Sequence, residues 1–273
     1  MRTGVVLSYN GKLRDRFKWC LENNIPTCQL GVAPELQTRE TADSILAIQK
    51  EYPVEITALV GTWSGPAEWN LAHGPATLGI VPVAYRAQRM KELEQCARFA
   101  QMLGVKDMCT HVGFIPEDPS DPLYPEVVAA IKYLANVYKQ YGVWFSMETG
   151  QETAFTLLRV IEDVGSDNLG LNFDPANLIL YGRSNPIDAL GMVGKYIHGV
   201  HAKDGDYPTT GHGLGEEKPL GAGQVNMEAF IAKLIAIGYD GVLTIEREID
   251  GEAQQRDIKA ANEMLLALVA KYK

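Results

Sequence analysis

The sequence predicts an α/β fold, a single closed (β/α)8 barrel, and three observations carry that prediction. Apolar, β-rich runs recur along the chain, each followed by a stretch of helical periodicity, and this alternation implies a parallel sheet with crossover helices. Eight such units fit into 273 residues, about 34 residues each, the spacing of an eightfold barrel. The competing doubly wound open sheet would advertise a glycine-rich turn after its first strand. Only Tyr9-Asn10-Gly11 follows Ser8, and neither GxGxxG nor GxxxxGK[ST] occurs anywhere.

The strands are read in order as Gly4 to Ser8, Pro26 to Gly31, Val54 to Gly61, Lys106 to His111, Val143 to Glu148, Leu169 to Asp174, Tyr196 to Ala202 and Val242 to Glu246. The clearest helices are Tyr85 to Met102, Pro125 to Tyr138, Met227 to Ile237 and Glu252 to Tyr272. Gly104, Gly142, Gly165 and Gly238 stand where helices stop before the next strand. No Pro/Gly/Ser-rich linker or composition break divides the chain, so residues 1–273 are expected to form one TIM-barrel domain.

Composition narrows the function. With 34 acidic and 25 basic side chains the formal charge is −9, which argues against a nucleic-acid partner. An apolar content of 46% with 22% charged residues is that of an ordinary soluble globular chain. Cys20, Cys28, Cys96 and Cys109 form no CxxC pair and read as reduced packing residues. The first apolar run is far shorter than a signal-peptide core, and no run of about 18 apolar residues suggests a membrane partner. A cytoplasmic protein is the expectation.

Two connections are long for an α/β unit, and both follow strands, on the face where barrels keep their active sites. Thr62 to Pro82 contains Trp63 and Trp69; Lys203 to Asn226 carries six glycines. Both read as lids over a substrate, with surface excursions or dimer contacts as the other reading. Glu216-Glu217-Lys218 is expected to be a solvated part of the second.

The chemistry lies at the ends of the last four strands: the fifth, sixth and eighth finish on Glu148, Asp174 and Glu246, and the seventh carries His201. Period-two alternation turns Gly170, Asn172 and Asp174 inward and Leu169, Leu171 and Phe173 toward the helices; likewise Val242, Thr244 and Glu246 face inward. His198 and His201 have opposite parity, so His201 is the better ligand and His198 is expected to pack against a helix unless a bulge intervenes. Three carboxylates in one low-dielectric pocket repel one another unless a cation compensates. Three oxygen donors and one imidazole suit a fairly hard divalent ion, Mn²⁺ first, with Mg²⁺, Co²⁺ and Zn²⁺ as alternatives.

These segments resemble the xylose-isomerase-like barrels, often labelled sugar phosphate isomerases/epimerases, which include ketose 3-epimerases, hydroxypyruvate isomerases and inosose dehydratases. The resemblance is carried by Met147-Glu148-Thr149-Gly150, Asn172-Phe173-Asp174-Pro175-Ala176-Asn177, Val200-His201-Ala202-Lys203-Asp204 and Thr244-Ile245-Glu246-Arg247. Pro219-Leu220-Gly221-Ala222-Gly223, Gly238-Tyr239-Asp240-Gly241 and Thr110-His111-Val112-Gly113 add to it. It implies that Glu148, Asp174, His201 and Glu246 bind the metal, with Glu148 and Glu246 doubling as acid/base groups in a sugar isomerase or epimerase. An α-hydroxyketone would chelate the ion, a carboxylate would remove the C–H proton, and the ion would carry the enediolate charge.

His111, Gln151, Asn177, Lys203 and Trp63 are the candidate substrate contacts, against packing or solvated roles for the same side chains. The pattern also departs from the ketose 3-epimerases. Those commonly carry His, Glu and Arg where this chain has Asn177, Ala154 and Tyr207, while Lys203-Asp204 resembles the His-x-Lys-Asp segment of inosose dehydratases. A lyase acting on a keto-sugar or keto-cyclitol is therefore the alternative activity, and a noncatalytic sugar-binding or partner subunit is a further one. A barrel AP endonuclease is disfavoured by the five scattered histidines and the acidic charge. Such barrels are frequently homo-oligomers.

Overall fold

The computed structural model describes residues 1–272. Eight parallel strands close into a barrel: β1 (Arg2–Ser8), β2 (Thr27–Gly31), β3 (Glu55–Val60), β4 (Asp107–Thr110), β5 (Trp144–Glu148), β6 (Leu169–Phe173), β7 (Ile197–Ala202) and, after a two-stranded excursion β8 (Asp204–Asp206) and β9 (Glu216–Lys218), β10 (Val242–Ile245). Closure is made by β1, which pairs with β2 on one side and β10 on the other. Each predicted strand is present, with ends within two residues of those read from the sequence.

The helices form the outer ring: α1 (Leu13–Glu22), α2 (Arg39–Glu51), α3 (Gly74–Thr77), α4 (Val83–Leu103), α5 (Leu123–Gln140), α6 (Ala154–Val164), α7 (Pro175–Leu180), α8 (Pro186–Val193), α9 (Met227–Ala236) and α10 (Gly251–Tyr272). Their starts follow capping chemistry: Thr38, Thr153 and Asn185 each accept a backbone N–H of the first turn. Among the described residues no helix is long and apolar enough to cross a membrane.

The apolar core lies between strands and helices. Phe145 packs edge-on to Tyr138 of α5 at 5.3 Å, and Phe173 stacks on Phe230 of α9 at 5.8 Å. Each ring is fully buried, a contribution worth about 3–5 kcal/mol when such a ring is truncated to alanine. Alternation then turns the residues between them into the barrel, and there the lining is polar: Gln29, Ser146, Asn172, His201 and Thr244 are all buried. Gln29 crosses the interior to donate from Nε2 to Asn172 Oδ1 at 2.9 Å.

His198 is where the structure corrects the expectation. The register of β6 against β7 slips between Leu171 and Asn172, which pair with Ile197 and Gly199, so His198 is the extra residue of a bulge. The bulge keeps its ring off the helices. It lies edge-on to Trp144 at 4.1 Å and 3.9 Å from Asp107 Oδ2, at the N-terminal mouth of the barrel. Gly170 makes the room: a Cβ there would sit 2.6 Å from His198 Nδ1.

Candidate metal centre

Each of the four strand-end side chains is fixed by its own backbone. Glu148 closes β5, and the ladder continues one step further, with Thr149 N donating to Asn172 O. Asp174 caps α7 by accepting Asn177 N–H at 2.9 Å, and Thr149 Oγ1 both accepts from Asp174 N and donates to Asp174 O. Thr244 of β10 pairs with His201 in β7, and Glu246 N reaches Ala202 O at 3.3 Å. Strand register thus brings four chain-distant residues to one point.

His201 Nδ1 lies 3.1 Å from Glu148 Oε1, 3.3 Å from Glu246 Oε2 and 3.6 Å from Asp174 Oδ2. One ligand atom from each of the four residues falls within 4.8 Å of all the others. Donors on opposite sides of an ion with bonds of about 2.1 Å would be about 4.2 Å apart, so the spacing suits one cation. The donor set passes a chemical test as well. The second ring nitrogen, Nε2, lies 2.8 Å from Gln29 Oε1, an atom that only accepts. The proton therefore sits on Nε2, and in the neutral ring Nδ1 presents a lone pair to three carboxylates. Nδ1 of His201 and Oδ2 of Asp174 are both buried without a hydrogen bond, as ligands awaiting an ion would be.

Electrostatics agrees. Burial opposes the charge on Glu148, but the His111 and His201 imidazoles overcome it and hold the carboxyl at about 2. Burial likewise opposes ionisation of Glu246, and Lys203 and then His201 drive it well below the ordinary range. Asp174 goes the other way, raised by burial in spite of Lys203. Burial disfavours a charged His201, yet Glu148 and Glu246 push its pKa well above the ordinary value, so without a cation the ring takes a second proton.

Four of the five candidate substrate contacts gather around this centre. His111 Nε2 is 3.3 Å from Glu148 Oε1, and its Nδ1 is 3.2 Å from Gln151 Oε1. Asn177 Nδ2 donates to Glu148 Oε1 at 3.3 Å. Lys203 Nζ donates to Glu246 Oε2 at 2.9 Å. Trp63 stands slightly apart, lining an apolar recess of about 230 Å³ with Val60, Trp69 and His111.

Both long connections are held by buried charge. Arg89 of α4 is fully buried and donates to the carbonyls of Ser64, Pro66, Thr77 and Gly79. Asp204 accepts the backbone N–H groups of Gly205, Gly221, Gly223 and Val225, and a Cβ at Gly223 would lie 2.4 Å from its Oδ1. Glu216-Glu217-Lys218 is solvated only in part, with Glu216 79% exposed and Glu217 12%. It forms β9 against β8, with half-buried Glu217 paired to Arg247 and accepting Glu248 N–H.

Sequence reasoning missed several contributors. Gln29 and Cys109 lie beneath the centre, with Cys109 Sγ 3.4 Å from Gln29 Oε1 and close enough to Glu148 and His201 to share an ion with them. Their inward parity on β2 and β4 was the available signal. Glu152 is entirely buried beside this cluster, with neither carboxylate oxygen hydrogen-bonded.

Comparison with known proteins agrees with this architecture. A family model described as xylose isomerase-like TIM barrel matches residues 20–268. A xylose isomerase domain protein from Planctomyces limnophilus superposes with a TM-score of 0.92 at 37% identity, covering 99% of this chain and 98% of that one. A D-tagatose 3-epimerase-like protein (TM-score 0.76, 21% identity, 100% and 98% covered) and an IolI protein with a bound zinc atom (0.74, 17%, 99% of each) share the fold. An uncharacterized protein of Methanocaldococcus jannaschii is 29% identical over 152 residues, 50% of this chain, and the match spans about half of that relative's length, 49%. The chain belongs to the xylose isomerase-like TIM barrel family.

Proposed function

We propose that the protein is a divalent-metal-dependent isomerase or epimerase of a small sugar, with Glu148, Asp174, His201 and Glu246 as metal ligands and Glu148 and Glu246 as its acid/base pair. The observation that carries this reading is the convergence of three carboxylates on one ring nitrogen of His201, Nδ1, while the other ring nitrogen is tied to Gln29. Mn²⁺ is the first choice for three oxygens and one nitrogen; structures that share the fold carry magnesium or zinc.

When bound, the cation supplies a Lewis acid for the carbonyl and hydroxyl oxygens of an α-hydroxyketone and offsets the charge left when its C–H proton is removed. The chain's own residues do the rest. Glu148 and Glu246 approach His201 Nδ1 separately, so a substrate between them has a carboxylate to take its proton and a second to return one. His111 and Asn177 orient Glu148, and Gln151 orients His111. The Trp63 and Trp69 recess offers an apolar wall to the C–H face of a sugar ring.

The test is NMR of candidate keto-sugars in D₂O with Mn²⁺. Deuterium entering next to the carbonyl, abolished by Glu148→Gln or Glu246→Gln, supports the proposal; exchange that persists in both variants overturns it. Loss of water from the substrate would replace the isomerase by a lyase at the same site.

A further inference from the structure

Lys203 follows β7 directly, two residues beyond His201, and is 2% exposed. Its Nζ donates to Glu248 Oε1 at 2.7 Å, Glu246 Oε2 at 2.9 Å and Asn177 Oδ1 at 3.3 Å, and Asp174 Oδ2 lies at 3.8 Å. A lysine ammonium has three N–H donors and accepts nothing. Three acceptors therefore use every donor it has, and none is left for a substrate oxygen.

Resting on the metal-centre reading above, we propose that Lys203 is a positioning residue and built-in counter-charge of the cation site, and that it does not bind substrate. The charges support this role. Glu148, Asp174 and Glu246 together carry −3, and a ligating imidazole is neutral. Among the groups that face the cation the ammonium brings the total to −2, the charge that one divalent cation cancels; Glu248, the remaining carboxylate on Lys203, is 60% exposed and screened by solvent.

Geometry supports it independently. Lys203 grips Glu246 directly, and through Asn177, which donates to Glu148 Oε1, it also fixes the second acid/base carboxylate. From the solvent side it is held by Glu248, whose backbone N–H is in turn held by Glu217. The lysine thus ties the ends of β5, β7 and β10 together around the cation.

The experiment compares chelator-stripped wild type, Lys203→Met and Lys203→Arg. Affinities for Mn²⁺ and Tb³⁺ are measured by calorimetry, and melting temperatures with and without Mn²⁺. Removing the ammonium leaves a −3 site. In Lys203→Met the preference for Tb³⁺ over Mn²⁺ rises at least tenfold, the metal-free protein melts lower than wild type, and Mn²⁺ restores most of the deficit. Lys203→Arg keeps the wild-type ion preference within about threefold.

An unchanged ion preference in Lys203→Met, or a melting deficit that Mn²⁺ does not reduce, overturns the role of Lys203 while leaving the metal centre intact. Failure of wild type to bind either ion overturns the metal-centre reading itself. If Lys203→Met is soluble only when purified with Mn²⁺, that dependence supports the proposal. If it is insoluble even then, Lys203→Gln takes its place in the same measurements, with the same outcomes.

Discussion

Glu152 gives the most quantitative prediction. It lies in the turn after β5, is completely buried, and neither oxygen has a hydrogen-bond partner. Burial pushes its carboxyl up from the usual 4.5 to about 8, with His111 pulling it back down only in part. A carboxyl held at about 8 instead of 4.5 favours its protonated form in the folded protein by on the order of 5 kcal/mol. The folded state binds the extra proton, so this contribution is fully present below pH 4.5 and is lost as pH rises through about 8. Roughly 3 kcal/mol of it is already gone at pH 7. Glu152→Gln keeps the shape of the neutral acid and cannot ionise. Urea unfolding should therefore find the variant close to wild type at pH 4.5 and more stable by several kcal/mol at pH 9. A stability difference that is the same at both pH values refutes the reasoning, because it would mean that Glu152 is no buried neutral acid.

Three further outcomes follow from the same contacts. Gln29→Leu removes the acceptor that holds His201 Nε2–H, and calorimetry should show divalent-ion affinity falling about 10–100-fold; an unchanged Kd contradicts the orienting role. Arg89→Met strips four loop carbonyls of their donor and should cost about 3 kcal/mol in urea unfolding, whereas a loss under 1 kcal/mol would show that the 62–82 connection does not depend on it. Asp204→Ala frees four backbone N–H groups and should cost about 2 kcal/mol and expose the 203–226 connection to limited proteolysis, where wild-type resistance would refute the anchor.

Much of this fold is legible in the sequence because barrel strands are short, apolar and evenly spaced. The ends of β5, β6, β7 and β10 announce their polar groups against a strict alternation, and Leu169, Leu171 and Phe173 face the helices as their parity requires. What the sequence hides is what register decides. His198 turns away from the helices because β6 and β7 slip by one residue, a slip with no local signal in Ile197-His198-Gly199. Gln29 sits mid-strand, 172 residues before the histidine it orients, and attention to strand ends alone passes over it. Lys203 was legible as a neighbour of His201, but its three acceptors come from two distant segments, Asn177 in α7 and Glu246 and Glu248 after β10. Glu216-Glu217-Lys218 has the composition of a solvated loop, and only the pairing of β8 with β9 and the Arg247 contact make it structural.

Stoichiometric metal binding decides whether these four side chains share one ion. Chelator-treated protein reloaded with Mn²⁺ and measured by anomalous diffraction should show one peak per chain, within bonding distance of Glu148, Asp174, His201 and Glu246, and lost in His201→Ala. Full loading with no peak among those four residues, or no binding at all, would contradict it.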